Sequence, residues 1–248
     1  MAGHSHWANI ARKKAIVDNK RGKLWSKLSR YIIIAARNGG GDPETNLKLR
    51  YAIDKARAVS MPKDNIDRAI KRGTGELQGE ILEELQYEGF GPGNVAVLVD
   101  VVTDNRNRTL GDIRKIFEKG GGKMGSAGSV AHLFERRGVF VIPAAGLDED
   151  QLLSIVLDAG AEDLKRQGEH FEVTTTPDAY SAVQAALEAA QIKPASSELT
   201  YVGKITSELD VETGRKLLKL LDALDDYDDV QAVYSTAAIT EEMANASD

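Results

Sequence analysis

The 248-residue sequence has no cysteine, which excludes disulfides, thiolate metal sites and a cysteine nucleophile, and fits a reducing cytosol. It has no long apolar run either. The longest, Val95 to Val102, is interrupted by Asp100 and is far too short to cross a bilayer. The opening MAGHSHWANIARKK lacks the apolar core of a secretion signal, so a cytoplasmic protein without membrane attachment is expected. Catalytic spacings are also missing: there is no GxSxG and no HExxH. Gly120-x-Gly122-x-x-Gly125 has the glycine spacing of a dinucleotide site, but it follows a helical pattern where that site requires a strand. Met124 after Gly122-Lys123 removes the hydroxyl that a P-loop needs for magnesium. The segment therefore reads as a helix-to-strand loop, with backbone amides and Lys123 available to phosphate.

Other candidates for chemistry reduce in the same way. His132 alternates with Val130 and Phe134 on an expected strand, and His170 falls in an expected turn before Phe171. Asp225, Asp226, Asp228 and Asp229 lack the glycine and spacing of a calcium loop and read as a solvated turn. A mature Ala2-Gly3-His4 start offers a square-planar set for Cu(II) or Ni(II), a property of any chain with histidine third. No enzyme activity, cofactor, metal or small-molecule substrate is expected.

What the chain does have is segregated charge. The overall balance of −6 conceals a segment through Gly75 with 17 Lys and Arg against 6 Asp and Glu, followed by a remainder with 15 against 32. A basic head on an acidic body points to a polyanion-binding module, since the rest of the chain repels polyanions. Hydrophobic residues at 42% and charged residues at 28% are ordinary for a folded protein, and the length suggests two or three domains.

Periodicity divides the chain. Residues 1–78 read as helical. Leu24, Leu28, Ile32 and Ala35 form one stripe, with a left-handed stop at Asn38-Gly39. Asp42 and Pro43 are expected to open a helix carrying Leu49, Ile53 and Ala56, and Met61-Pro62 to open one carrying Ile66, Ala69 and Ile70. A short basic helix is expected around Ile10 to Val17. Strands are expected at Ile81 to Tyr87, Val95 to Val102 and Val130 to Phe134, with a turn at Gly89 to Gly93. A helix over Leu110, Ile113, Ile116 and Phe117 is expected to be capped by Thr103-Asp104-Asn105. From Val139 to Tyr201 the order is β-α-β-β-α-β, the ferredoxin-like unit. A last helix (Leu217, Leu220, Leu221, Leu224) and strand (Val230 to Tyr234) need a partner earlier in the chain. The fold class expected is α+β multidomain: an N-terminal helical bundle followed by two ferredoxin-like α/β domains sharing one topology, one inserted in the other. The domains are 1–78, 79–136 plus 205–240, and the insert 137–204.

The basic head supplies the candidate site. Arg12, Lys13, Lys14, Lys20, Arg21 and Lys23 form a cluster that Lys27, Arg30 and Arg37 continue on one face of the next helix, opposite the Leu24, Leu28 and Ile32 stripe. Asp18 is the one acidic residue between Ala2 and Asn38, so little local charge opposes a phosphate grip. Trp7 has two candidate roles of equal standing, stacking on a base or ribose and anchoring the N-terminal arm.

The segments GHSHWANI, DNKRGKLWSKLSR, AARNGGGDPETNLKLR, MPKDNIDRAIKRGTG, YEGFGPGNVAVLVDVVTDNRNRT and GSAGSVAHLFERRGVF resemble the YebC/PmpR family, which includes the mitochondrial translational activator of cytochrome c oxidase. The resemblance covers nearly the whole chain. It implies three domains, no enzymatic activity and a role in gene expression, as a DNA-binding transcriptional regulator or as a translation factor on the ribosome. Its MPKDNI motif falls on Met61 to Ile66 and includes Lys63. Its TDNRNRT motif falls on Thr103 to Thr109 and brings Arg106 and Arg108 to the candidate surface. His6 and Ala11 depart from basic residues found in many relatives. The function expected is non-enzymatic regulation of gene expression by binding nucleic acid, DNA first and ribosomal RNA or tRNA as the alternative. A hydrolase working between the α/β domains is disfavoured because no nucleophile, base or metal set is visible. The sequence leaves the oligomeric state open.

Overall fold

The computed structural model describes residues 21–79, 81–240 and 242–243. The basic helix expected around Ile10 to Val17 lies outside them. Among the described residues three helices come first: α1 (Arg21–Gly39), α2 (Leu47–Ala58) and α3 (Lys63–Gly73). Ile32, Ala35 and Ala36 of α1 pack with Leu49, Ala52, Ile53 and Ala56 of α2 and with Ile66 and Ala69 of α3 in one core cluster. The Trp25 indole donates to the Val59 carbonyl at 3.3 Å, pinning α1 to the end of α2. The close crossing of α1 and α3 depends on Gly73, where a Cβ would stand 2.5 Å from the Ile33 carbonyl oxygen and 2.6 Å from Ala36 Cβ.

The helix boundaries differ from expectation at two places. The left-handed residue that ends α1 is Gly40, with φ +85, rather than Gly39. The second helix begins at Leu47, not at Pro43, because Asn46 is a better cap than Asp42 in this context. Its Oδ1 accepts from the Leu49 amide at 3.0 Å, while its side-chain amide donates to the Ala35 and Gly40 carbonyls at 2.8 Å each. One buried side chain thereby satisfies the start of α2 and the end of α1 together.

The first sheet contains β1 (Glu83–Gly91), β2 (Val95–Thr103), β3 (Lys123–Met124) and β8 (Val230–Ser235), in the order β3-β1-β2-β8. Helix α4 (Arg106–Lys119) links β2 to β3, and α7 (Val211–Asp225) precedes β8. The apolar run of β2 is buried almost throughout, and Asp100, which interrupts it, receives a 2.8 Å bond from Gln86, its register partner on β1. Glycines 89 and 91 belong to β1, so the expected turn shrinks to Pro92–Asn94. Ile34 of α1, Leu82 and Val102 form a further shared cluster. The glycine-rich loop is explained by packing. A Cβ on Gly120 would meet Leu220 at 2.7 Å, and one on Gly122 would meet the Phe90 carbonyl oxygen at 2.5 Å. The expected strand from Val130 is instead a 3-10 turn, Ala131–Leu133, so His132 is exposed on that turn rather than held in a ladder.

The second sheet is built from β4 (Phe134–Pro143), β5 (Ala161–Gln167), β6 (His170–Thr175) and β7 (Ser196–Gly203), with α5 (Glu149–Asp158) and α6 (Tyr180–Ala189) between its strands. Its order, β5-β6-β4-β7, is that of the ferredoxin-like unit. Phe140, Phe171, Val173, Leu152, Val183 and Leu187 are buried, and Phe140 stacks on Tyr180 at 4.7 Å. His170 opens β6 opposite Pro143, rather than sitting in the turn. The two sheets do not share one strand order. The short turn after β1 forces β1 and β2 to pair directly, and that hairpin occupies the centre of the first sheet. The chain builds the second sheet between β3 and β8 of the first.

Two compact units result. One holds residues 21–129 with Lys216–Val233, and the other holds Val130–Arg215 with residues 234–240 and 242–243.

Candidate nucleic-acid interface

Lys23, Lys27 and Arg30 recur every three or four residues, so α1 presents them in one row. The turn that joins α7 to β8 faces that row. Lys23 lies 4.0 Å from Asp226 and 3.7 Å from Asp228. Lys27 lies 4.0 Å from Asp225 and also donates to its carbonyl. Arg30 donates to the Asp228 carbonyl and to Asp229 Oδ1, both at 2.7 Å. Arg37, farther along, donates to the Leu82 carbonyl. The scarcity of local carboxylates around this row is therefore offset by carboxylates from some 200 positions away in sequence.

The four aspartates are not one solvated turn. Asp226 and Asp228 are largely exposed, whereas the Asp229 side chain is 4% exposed. Its Oδ1 accepts from Arg30, and its Oδ2 accepts from Thr109 at 2.7 Å, Thr103 at 3.0 Å and Arg108 at 3.0 Å. The two threonine hydroxyls are themselves 2.8 Å apart, so their two protons are shared between each other and the carboxylate. Burial acts to raise the Asp229 pKa, but the hydrogen bonds from Thr109, Arg108 and Thr103 and the charge of Arg30 outweigh it, and the group is held below the ordinary carboxylate value. Asn105 caps α4 by accepting from the Arg108 amide at 3.1 Å, and the Arg108 side chain donates to Asp104 at 2.6 Å and to Asp229 at 3.0 Å. Those bonds to Asp104 and then Asp229 raise the Arg108 pKa further above its usual value. The Arg108 bond is also what lowers the pKa of Asp104.

The structure thus brings Arg30 and Arg108 together on one buried carboxylate, a juxtaposition their separate motifs do not announce. Arg106 is exposed beside them. Lys63 stands apart at the start of α3 and is also exposed. Arg68, Lys71 and Arg72 project from the same helix, all exposed, and among the described residues none of these four has an ion-pair partner. They were countable in the basic excess, but only the burial of Ile66 and Ala69 fixes the face they occupy. Trp7, Arg12, Lys13, Lys14, Lys20 and the Arg21 side chain lie outside the described residues. Among the described residues no group of three or more His, Asp or Glu is placed to hold a metal ion, and no helix is long and apolar enough to cross a membrane.

Fold and site define an α+β protein whose basic helices precede two four-stranded sheets. A family profile described as the TACO1/YebC protein N-terminal domain matches residues 5–76, and one described as the TACO1/YebC second and third domain matches residues 82–237. The chain belongs to the TACO1/YebC family. It is 52% identical over 95% of its length to a protein of Carboxydothermus hydrogenoformans, covering 98% of that relative. It is 51% identical to one of Rubrobacter xylanophilus, with 98% of each chain covered. Both relatives bear the name "probable transcriptional regulatory protein". The crystal structure of a conserved hypothetical protein from Aquifex aeolicus matches with a TM-score of 0.84 and 46% identity, over 96% of this chain and 98% of that one.

Proposed function

We propose that this chain regulates transcription by binding nucleic acid through its basic helical segment, without performing a chemical step. The observation that carries the reading is the segregation of charge: 17 basic against 6 acidic residues through Gly75, with Lys63, Arg68, Lys71 and Arg72 of α3 exposed and without ion-pair partners among the described residues. The names of the relatives support it. Trp7, Arg12, Lys13, Lys14, Lys20 and Arg21 join α3 as the contact set, with Arg106 and the outer cations of α1 at its margin. Residues 1–78 act as the anchor, while residues 79–136 with 205–240 and the insert 137–204 are acidic domains that carry partner surfaces. Lysine-rich contacts grip phosphates as point charges, so recognition follows backbone and shape more than base edges.

The test is fluorescence anisotropy with a duplex DNA across salt concentrations. With about four to six phosphates contacted, log K falls with log salt at a slope near −4 to −5. Charge reversal at Lys13, Lys14, Lys20, Arg21 and Lys23 abolishes tight binding and leaves the fold intact. A salt-insensitive complex, or full binding by residues 79–248 alone, refutes the reading. Tight binding to ribosomes with weak, equal binding to promoter and scrambled duplexes reassigns the polyanion to RNA.

A further inference from the structure

The acidic turn of residues 225–229 makes two kinds of contact with α1. The inner contact, Arg30 to Asp229, is buried and reinforced by Thr103, Thr109 and Arg108. The outer contacts are different in character. The Lys23 and Asp226 side chains are 49% and 46% exposed, and Asp228 is 66% exposed, with separations of 3.7 to 4.0 Å. The Lys23 pairs, exposed and at such separations, hold weakly and are screened by salt, while Lys27, 13% exposed, lies 4.0 Å from Asp225 and also donates to its carbonyl, so it is the more firmly held of the two. An inner contact that already docks the turn does not need the outer ones for stability. Asp225, Asp226 and Asp228 nonetheless set three carboxylates against Lys23 and Lys27.

We infer that the turn between α7 and β8 is an internal competitor for the basic face of α1: Asp225, Asp226 and Asp228 cover Lys23 and Lys27 until a phosphate backbone displaces them, while Arg30 stays on Asp229. The inference rests on the nucleic-acid reading above and adds regulation of that same surface. Displacement exchanges weak intramolecular pairs for phosphate contacts that release condensed counterions, so it proceeds at low salt and reverses as salt rises. The aspartates lose little on release, because they move into water.

The experiment uses the full chain with Asp225→Asn, Asp226→Asn and Asp228→Asn, in the native background and in a Lys23→Gln, Lys27→Gln background. In the native background the triple variant binds duplex DNA roughly tenfold more tightly at low salt, with a salt slope little changed, because Lys23 and Lys27 reach phosphates in either complex. In the lysine-free background the same three substitutions give no such gain. An equal gain in both backgrounds reduces the effect to net charge and overturns the inference, as does an unchanged affinity in the native background. If the triple variant melts early, Asp226→Asn with Asp228→Asn alone, both on the exposed rim, carries the comparison. The salt needed for elution from heparin is read in parallel. Later elution that depends on Lys23 and Lys27, without duplex binding by any variant, upholds the covered surface and refutes the nucleic-acid reading instead.

Discussion

Asp229 is the residue whose removal tests the most structure at once. Replacing it with alanine takes one carboxylate away from two guanidinium groups and two buried hydroxyls. Breaking a buried ion pair by deleting one partner costs about 3–5 kcal/mol when the other charge stays buried. Here the partners retain access to water, Arg30 being 25% and Arg108 45% exposed, which reduces that cost. Thr103 and Thr109 are both 0% exposed, but they still bond each other at 2.8 Å, and Thr109 still reaches the Asn105 carbonyl at 3.1 Å. The expected loss is therefore about 2–4 kcal/mol, which at about 2–4 °C per kcal/mol for a chain of this size lowers the melting midpoint by roughly 5–15 °C. Asp229→Asn, which keeps a carbonyl oxygen for the threonines, loses about half as much. The pH dependence has a definite sign. A carboxylate held below its unfolded value near 4 contributes stability that is fully present above about pH 4 and is lost as pH falls through the lower folded value. Urea unfolding at pH 7 and at pH 3 measures this, and Asp229→Asn should flatten the difference. A loss under about 0.5 kcal/mol for Asp229→Ala, the range of ordinary surface substitutions, would show that the cluster is no more than a surface ion pair and refute the reasoning.

Other expectations follow from the same geometry. Gly73→Ala forces a Cβ to within 2.5 Å of the Ile33 carbonyl oxygen, so it should cost about 1–3 kcal/mol in denaturant titrations, with α1 and α3 losing hydrogen-exchange protection first. Reversing the charge of Lys63, Arg68, Lys71 and Arg72 together should weaken duplex binding at least tenfold while moving the melting midpoint little, since exposed charges contribute little to stability. An unchanged anisotropy titration would remove α3 from the interface. Excising residues 137–204 behind a short linker should leave β1, β2, β3 and β8 folded, because β8 lies beside β2 in the first sheet. Loss of the circular dichroism and exchange protection of β2 in that variant would disprove the division of domains.

Elements with local signals could be read from the chain before any packing was known. The stripe of Leu24, Leu28, Ile32 and Ala35 specifies α1, the apolar run of Val95 to Val102 specifies β2, and the capping segment Thr103-Asp104-Asn105 places the start of α4 to within three residues, because each signal acts within one or two turns of chain. The βαββαβ order of the second sheet was legible for the same reason. The basic excess of the head was legible too, since charge is counted without knowing where it points. Features that depend on distant partners emerged with packing. Asn46 displaced Asp42 as a cap because its amide reaches the Ala35 and Gly40 carbonyls. The glycines at 120 and 122 answer to Leu220 and to the Phe90 carbonyl rather than to a ligand. Pairing of β1 with β2 across a short turn set the centre of the first sheet, which element order alone does not distinguish from the ferredoxin arrangement. The aspartates at 225, 226, 228 and 229 have nearly the same local sequence environment. Only packing buries the last of them beneath Arg30, Thr103, Arg108 and Thr109, because the free energy of a buried carboxylate is set by groups that the chain must fold to bring there.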